Sequence, residues 1–122
     1  MIALIAHDTK KPAMVNFCQT HLDHLWQTRC VATGNTGAIL NRDLNLNVQC
    51  VADGPPGCGL IIDMIAEGKI HAVVFFGDTL SAQPHELEVM HACDVHNVPL
   101  ATNPATAEAI MEMMKQAQNR CK

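Results

Sequence analysis

The chain carries its apolar residues in short runs that are separated by stretches with helical spacing. Inside several runs, such as Ile2–Ala6 and Ala72–Phe76, apolar residues follow one another directly instead of alternating with polar ones. Runs of this kind are typical of strands that are buried on both faces of a sheet. We therefore predict the strands Ile2–Ala6, Arg29–Ala32, Asn47–Ala52, Ala72–Phe76 and Val98–Thr102.

Helices are predicted between these strands. Pro12 suits a first helical turn, and the apolar spacing continues through Leu25. Further helices are predicted after Gly37 through Leu40, from Leu60 to Glu67 with Gly68 as the C-cap, from Glu86 to His96, and from Ala105 to Gln118. Because strands that alternate with helices are joined by right-handed crossovers, the pattern predicts an α/β fold with a mainly parallel sheet.

Composition limits the class of protein. The 122 residues suit one domain, residues 1–122, and the hydrophobic content of 48% argues against disorder. The net charge of −4 and the scattered Lys and Arg residues argue against a nucleic-acid partner. No apolar stretch approaches the ~18 residues of a membrane span, so we expect no membrane partner either.

The start of the chain and the cysteines bear on the compartment. The apolar start reaches His7 and Asp8 too soon for a signal peptide, and a buried strand explains it better. The six cysteines form no CxxC pair, which favours reduced thiols and a cytoplasmic protein; they are Cys18, Cys30, Cys50, Cys58, Cys93 and Cys121.

A polar cluster follows each predicted strand. Parallel sheets bind their ligands at the carboxyl ends of the strands, so we expect these clusters to meet at one site for a small ligand. The clusters are His7-Asp8, Thr33-Gly34-Asn35-Thr36, Asp53-Gly54-Pro55, Gly77-Asp78 and Thr102-Asn103.

The loop of residues 33–37 has the composition of a phosphate cradle. Its glycines let backbone N–H groups turn toward an anion, Thr33 and Thr36 add hydroxyl donors, and a helix N-terminus follows. Lys11 can meet the same phosphate as a point charge. The residues alone also fit a strand-to-helix turn with Thr36 as N-cap, and a solvated Lys11.

Histidines and carboxylates near the same edge supply candidate chemistry. Asp8 can fix the tautomer of its neighbour His7. His85 can polarise a carbonyl group, while Asp78 holds it or transfers protons. The structural alternatives are a His7 bonded to a neighbouring loop, an Asp78 that caps a turn, and an exposed His85.

Segments in the same order along nearly the whole chain resemble methylglyoxal synthase. They are Ile2–Asp8 with Lys11, Ala32–Gly37, Gly54-Pro55, Glu67–Ile70, Phe75–Asp78, Pro84-His85, and Val98–Asn103 with Ala105-Thr106-Ala107. The resemblance implies a three-layer α/β/α sandwich with a five-stranded, mainly parallel sheet, and a homo-oligomer, often a homohexamer. It implies a carbon–oxygen lyase that converts dihydroxyacetone phosphate into methylglyoxal and inorganic phosphate, without a metal or organic cofactor.

The resemblance also implies roles for single residues. By position, the contacts to phosphate and substrate are His7, Lys11, Thr33, Gly34, Asn35, Thr36 and Gly54, with Asp53 close to the phosphate. His85 is the group that polarises the carbonyl, Asp78 is a supporting carboxylate, and Glu88 stands where the family usually has another aspartate.

One departure from the family concerns the proton-abstracting aspartate. Its position, in the glycine-rich turn after Gly54, is Gly59 here. Three functions therefore stay open: a synthase that uses Asp53, Asp78 or Asp8 as its base; a non-catalytic sensor or binding domain for a phosphorylated metabolite; and a different small enzyme or a structural oligomer on this fold. A different enzyme could use Cys58 as a reactive thiol, since a position near a helix N-terminus can lower a thiol pKa. The alternative is that Cys58 is a buried, inert thiol.

Overall fold

A single parallel sheet forms the centre of the molecule. The computed structural model of the chain describes residues 1–78 and 80–120. The strands are β1 (Ile2–Ala6), β2 (Cys30–Thr33), β3 (Gln49–Val51), β4 (Ala72–Phe76) and β5 (Leu100–Ala101). They form a five-stranded sheet in the order β3-β2-β1-β4-β5, in which every pair of neighbours is parallel.

Helices connect the strands. They are α1 (Lys11–Thr20), α2 (Leu22–Trp26), α3 (Gly34–Leu44), α4 (Pro55–Ala66), α5 (Pro84–Val95) and α6 (Pro104–Arg120), and a short 3-10 helix at Asp8–Lys10 joins β1 to α1. Among the helices of the described residues, none is long and apolar enough to cross a membrane.

The buried residues lie in two layers, one on each face of the sheet. Side chains of β1 alternate between them: Ile2 and Leu4 pack in one layer, and Ala3 and Ile5 pack in the other. The first layer is completed by residues of α1, α2, α3 and α6, and the second by residues of α4 and α5. The three-layer α/β/α sandwich expected from the sequence is therefore confirmed.

The strand bounds agree best with prediction at the centre of the sheet. β1 and β4 have the predicted bounds, because their runs are buried on both faces for their full length. β3 and β5 are shorter than predicted, at Gln49–Val51 and Leu100–Ala101. Both lie at the edges of the sheet, where only one neighbouring strand fixes the pairing.

The helix bounds of α5 and α6 agree with prediction within two residues, and larger differences occur in three places. The helix expected from Pro12 to Leu25 is two helices, separated at His21 with φ −111° and ψ 27°. α3 and α4 begin earlier than predicted, at Gly34 and Pro55. A first helical turn tolerates proline because its N–H groups have no intrahelical partner.

α4 ends at Ala66, one residue before the predicted end, and its C-cap is Glu67, with the predicted cap Gly68 next to it. Gly68 has φ +77°, a left-handed conformation that favours glycine, and the N–H of Lys69 donates to the Met64 carbonyl at 3.0 Å.

The sheet order places the candidate residues. β1 lies between β2 and β4, so the chain builds outward from β1 to β3 and then returns to the other side of β1. The carboxyl ends of strands at such a reversal border a crevice, which is where ligands bind in open α/β sheets.

Candidate active site

A cavity of about 500 Å³ opens at the carboxyl ends of the strands. It is bordered by the segments that follow β1, β2 and β3 and by the start of α5. The sequence-predicted residues that line it are His7, Asp8, Lys11, Thr33, Asn35, Asp53, Gly54 and His85. Gly34, Thr36, Asp78 and Glu88 were predicted as site residues but do not line this cavity.

Lys11 gives the cavity a fixed positive charge. Its ammonium donates to the Ala6 carbonyl at 3.1 Å and to Asp8 Oδ1 at 2.8 Å. The Lys11 side chain is only 15% exposed, whereas that of Asp8 is 91% exposed. The two bonds hold the ammonium at the end of β1, where it can attract an anionic ligand.

The N-terminus of α3 supplies donors beside Lys11. Thr33 is the N-cap residue, with extended φ and ψ, and Asn35 lies in the first turn. The first N–H groups of a helix lack intrahelical acceptors and carry the positive end of the helix dipole. Together with the Lys11 ammonium they form an arrangement that suits a phosphate group.

Thr36 and Gly34 take structural positions in this turn. Thr36 is 1% exposed, and its hydroxyl donates to the Ala6 carbonyl over 3.5 Å. Gly34 has φ +34°, and a β-carbon added there would overlap the carboxylate of Asp53. A glycine at this place therefore lets the Asp53 carboxylate approach the backbone of α3.

The start of α4 is poorer in donors than the start of α3. Its N-cap Gly54 has φ +76°, which favours glycine, and the prolines Pro55 and Pro56 carry no N–H. Asp53, the residue before Gly54, is exposed and lines the cavity. Within the described part of the chain, no hydrogen bond engages its carboxylate.

The shortest side-chain hydrogen bond at the cavity is one that the sequence did not predict. Glu86 Oε2 lies 2.5 Å from His7 Nε2, and Glu86 is only 5% exposed. Glu86 Oε1 accepts the backbone N–H of Gln83 at 2.7 Å, as half of a capping box at the start of α5. The spacing of Gln83, Pro84 and Glu86 is the signal that marks such a helix start.

The other residues carried by α5 and the loop before it differ in their access to the cavity. His85 is half-buried and lines the cavity, and the described residues offer its ring no hydrogen bond. Asp78 is exposed, and hydrogen bonds from the Ser81 hydroxyl and the Leu80 N–H lower its pKa. Glu88 is also exposed, further along α5.

Cys58 lines the cavity as a buried thiol. Burial raises the pKa of Cys58 to about 11, and the negative charges of Glu86 and Asp53 act in the same direction. The inert alternative is therefore supported over an activated thiol. The described cysteines Cys18, Cys30, Cys50, Cys58 and Cys93 are unpaired, as expected for reduced thiols, and Cys121 lies outside the described residues.

A second cavity, of about 560 Å³, lies beside the amino ends of β1 and β2. Trp26, Arg29 and Asn47 are among the residues that border it. None of the predicted site residues lies there. Over residues 1–78 and 80–120, no group of three or more His, Cys, Asp or Glu residues is arranged to hold a metal ion.

Comparison with known proteins agrees with this geometry. Residues 13–102 match the model of the MGS-like domain family. A methylglyoxal synthase of Thermoanaerobacter sp. (strain X514) is 48% identical over 94% of this chain and 90% of its own length. A methylglyoxal synthase of Thermus thermophilus is 48% identical over 94% of both chains.

A solved structure has the same fold. The crystal structure of methylglyoxal synthase from Elizabethkingia anophelis NUHP1 has a TM-score of 0.82 and 40% identity, over 89% of this chain and 74% of that one. The five parallel strands, the cavity at their carboxyl ends and these similarities lead to one conclusion: the chain belongs to the methylglyoxal synthase family and carries its MGS-like domain.

Proposed function

We propose that this chain is a carbon–oxygen lyase that converts dihydroxyacetone phosphate into methylglyoxal and inorganic phosphate. The observation that carries the proposal is the meeting of a phosphate-type site with two imidazoles at one cavity. The phosphate-type site consists of Lys11 and the first turn of α3, and the two imidazoles are those of His7 and His85. The names of the matched relatives support a lyase over a non-catalytic binding module.

The proposed reaction removes a proton and then expels phosphate. A base takes a proton from the hydroxymethyl carbon beside the ketone, and the electron pair moves onto the carbonyl oxygen to give an enediolate. An imidazole donor stabilises that oxygen, and His85, whose ring is unengaged by described residues, suits this role. The terminal hydroxyl of the enediolate then loses its proton and becomes the aldehyde oxygen, while the C=C electron pair shifts and breaks the C–O bond to phosphate, which leaves with the bonding pair. The enol oxygen and the departing phosphate take up the two released protons, and the enol then becomes methylglyoxal.

The phosphate end of the substrate is assigned to Lys11 and α3. The charge of Lys11 and the free N–H groups of the helix offset the negative charge that collects on the departing phosphate. Lys11 lines the same cavity as Thr33 and Asn35, the residues at the start of α3. No step in this scheme needs a metal or organic cofactor.

Asp53 is our candidate for the base. Three carboxylates line the cavity: Asp8, Asp53 and Glu86. Asp8 is paired with Lys11, and both oxygens of Glu86 accept hydrogen bonds. Asp53 is the remaining carboxylate, and its oxygens are unengaged by the described residues. Asp78, the other carboxylate considered as a base, lies outside the lining.

The experiment that tests the proposal is turnover of dihydroxyacetone phosphate by the purified protein. Methylglyoxal and phosphate should appear in equal amounts, with saturation in substrate. Saturable binding of dihydroxyacetone phosphate without product would contradict a lyase and favour the binding module. A cytoplasmic location and a homo-oligomeric assembly remain predictions, which fractionation of cells and sedimentation of the protein would test.

A further inference from the structure

Glu86 is buried, although several of its neighbours along the chain are exposed. It is 5% exposed, whereas Leu87 is 52% exposed and both Pro84 and Glu88 are exposed. A buried carboxylate is costly unless hydrogen bonds compensate for the lost hydration. Both oxygens of Glu86 are compensated: Oε1 by the N–H of Gln83 and Oε2 by the ring of His7.

The bond between Glu86 and His7 joins distant parts of the chain. The residues are 79 positions apart, and the bond ties the end of β1 to the first turn of α5. Because its two oxygens are occupied, Glu86 is poorly placed to take a proton from a substrate. Although Glu86 lines the cavity, we therefore expect its main effect on a ligand to pass through His7.

The orientation of the His7 ring is fixed from several sides. Phe75 meets the ring edge-on, with centroids 5.8 Å apart and planes inclined by 70°. A β-carbon at Gly77 would lie 3.1 Å from His7 Nε2, so the absence of a side chain there leaves room for the ring. The side of the ring that carries Nε2 is therefore committed to Glu86.

We propose that Glu86 is a positioning residue that holds His7 in the tautomer with hydrogen on Nε2. A carboxylate accepts but does not donate, so the ring nitrogen that faces it carries the hydrogen. Nδ1 is then the acceptor that a neutral His7 offers to the cavity. This inference rests on the proposed function only for the identity of the substrate.

The tautomer has a consequence for substrate recognition. In dihydroxyacetone phosphate with a fully ionised phosphate, the terminal hydroxyl is the one hydrogen-bond donor. An acceptor at His7 Nδ1 therefore pairs with that hydroxyl, on the carbon that loses the proton. An analogue with a methyl group in place of the hydroxymethyl group leaves Nδ1 without a hydrogen-bond partner. Sites built to bind a substrate hydroxyl discriminate against analogues that lack it, so we expect this analogue to bind poorly.

The test compares His7 in the wild-type protein and in Glu86→Gln. The glutamine has the same shape and can keep the bond from the Gln83 N–H, but it turns an NH₂ donor toward His7. Two-bond ¹H–¹⁵N correlation spectra of protein labelled at histidine distinguish the tautomers. We expect the Nε2–H pattern for His7 in the wild type and the Nδ1–H pattern in Glu86→Gln.

Kinetics provide the second readout. We expect Glu86→Gln to lower kcat at least about tenfold while KM changes by less than about threefold, because an oriented group and not the phosphate contact is altered. Glu86→Asp, which keeps a carboxylate acceptor, should retain the Nε2–H pattern and more activity than Glu86→Gln. Glu67→Gln, an exposed glutamate paired with Lys69 after α4, is the matched control and should behave like the wild type.

The outcomes separate this inference from the proposed function. An Nδ1–H pattern in the wild-type protein, or an unchanged pattern in Glu86→Gln, would overturn the positioning role whether or not dihydroxyacetone phosphate is turned over. A wild-type protein with the Nε2–H pattern and no turnover would support the role of Glu86 and reject the lyase. The wild-type spectrum decides the tautomer even where a variant fails to fold.

Discussion

The carboxylate of Asp53 lies against the backbone of Gly34, so closely that a β-carbon at Gly34 would overlap it. The loop after β3 thereby brings a negative charge to the first turn of α3, the same turn that offers N–H donors to an anion. Asp53 is exposed and lines the cavity. This closeness makes Asp53 either a proton acceptor next to the bound substrate or a group that repels phosphate.

Replacing Asp53 distinguishes these roles. If Asp53 is the base, Asp53→Asn should lower kcat by about 10²–10⁴-fold, since that is the usual contribution of a general base. The change in KM should be small, because the asparagine keeps the shape and removes only the charge. Steady-state kinetics with dihydroxyacetone phosphate measure both quantities.

The controls are Asp78→Asn and Asp53→Ser. Asp78 is exposed and does not line the cavity, so its replacement should cost less than tenfold in kcat, which is well below the usual contribution of a base. An Asp53→Ser protein that is more active, with a lower KM, would contradict the base and show that the carboxylate repels the substrate.

Gly59 provides a gain-of-function test of the same step. It lies in α4, and a β-carbon there would meet no atom within 4 Å. The resemblance to the family places a proton-abstracting aspartate at this position. The double variant Asp53→Asn, Gly59→Asp should therefore have a kcat at least about tenfold higher than Asp53→Asn alone. The increase is a part of the about 10²–10⁴-fold that a general base usually contributes.

Gly59→Asn in the same background is the matched control, because it adds the same volume without a base. Equal activities of the two double variants would mean that the position does not reach the substrate. An inactive Gly59→Asp variant with an intact fold would lead to the same conclusion.

The sequence predicted the features that depend on neighbouring residues in the chain. β1 and β4 are found with their predicted bounds because uninterrupted apolar runs have few other ways to be buried. The polar residues that follow β1, β2 and β3 meet at one cavity because parallel strands end at the same edge. His7, Lys11 and Asp53 were therefore accessible to prediction.

Long-range contacts explain what the sequence did not reveal. Glu86 is a charged helix residue, a type that is almost never fully buried without a partner, and its partner His7 is far away in the chain. The break between α1 and α2 has a similar origin. His21 is buried there, with Glu108 Oε2 at 2.6 Å from its Nε2 and the Lys115 ammonium at 2.7 Å from its Nδ1.

Lys11 is expected to carry the affinity for phosphate. Lys11→Met keeps most of the length of the side chain and removes the ammonium that lies at the end of β1. We expect KM for dihydroxyacetone phosphate to rise about tenfold or more, which corresponds to ~1.4 kcal/mol of lost binding. The wild-type KM should also rise with salt, and that dependence should weaken in the variant.

Lys10→Met is the matched control for charge. Lys10 is the neighbouring residue, but it is exposed and does not line the cavity. Equal effects of the two substitutions would show that only the overall charge of the region matters, and would contradict a phosphate contact by Lys11.

Two glycines of α4 should respond to alanine with opposite signs. A β-carbon at Gly57 would overlap the carbonyl oxygen of Ala52, whereas one at Gly59 would meet open space. Gly57→Ala should lower the free energy of unfolding by about 1–3 kcal/mol, through a backbone shift in a packed region. Gly59→Ala should raise it by up to about 1 kcal/mol, from helix propensity.

Urea denaturation of both variants measures these changes. The pair forms its own control, because both substitutions add one methyl group to the same helix two residues apart. A loss of stability in both variants of similar size would contradict the close approach of α4 to Ala52.

Buried thiols should make the protein less stable at alkaline pH. Burial raises the pKa of Cys18 to about 12 and those of Cys30, Cys58 and Cys93 to about 11. In the unfolded chain, thiols ionise at about pH 8.5. Between these values the unfolded state loses protons that the folded state keeps, so the free energy of unfolding should fall as the pH rises from about 9 toward 11.

Cys18→Ala tests how much one thiol contributes to the fall in the free energy of unfolding at alkaline pH. Cys18 is fully buried, so its removal should make the decline shallower by about 1.4 kcal/mol per pH unit over the range in which only the unfolded thiol is ionised. We expect the variant to be less stable at neutral pH because the substitution removes a buried side-chain atom. The readout is therefore the slope with pH and not the starting value. Cys50→Ser, which removes an exposed thiol, should leave the slope nearly unchanged. Equal slopes in the wild type and Cys18→Ala would mean that Cys18 is already ionised in the folded protein at these pH values.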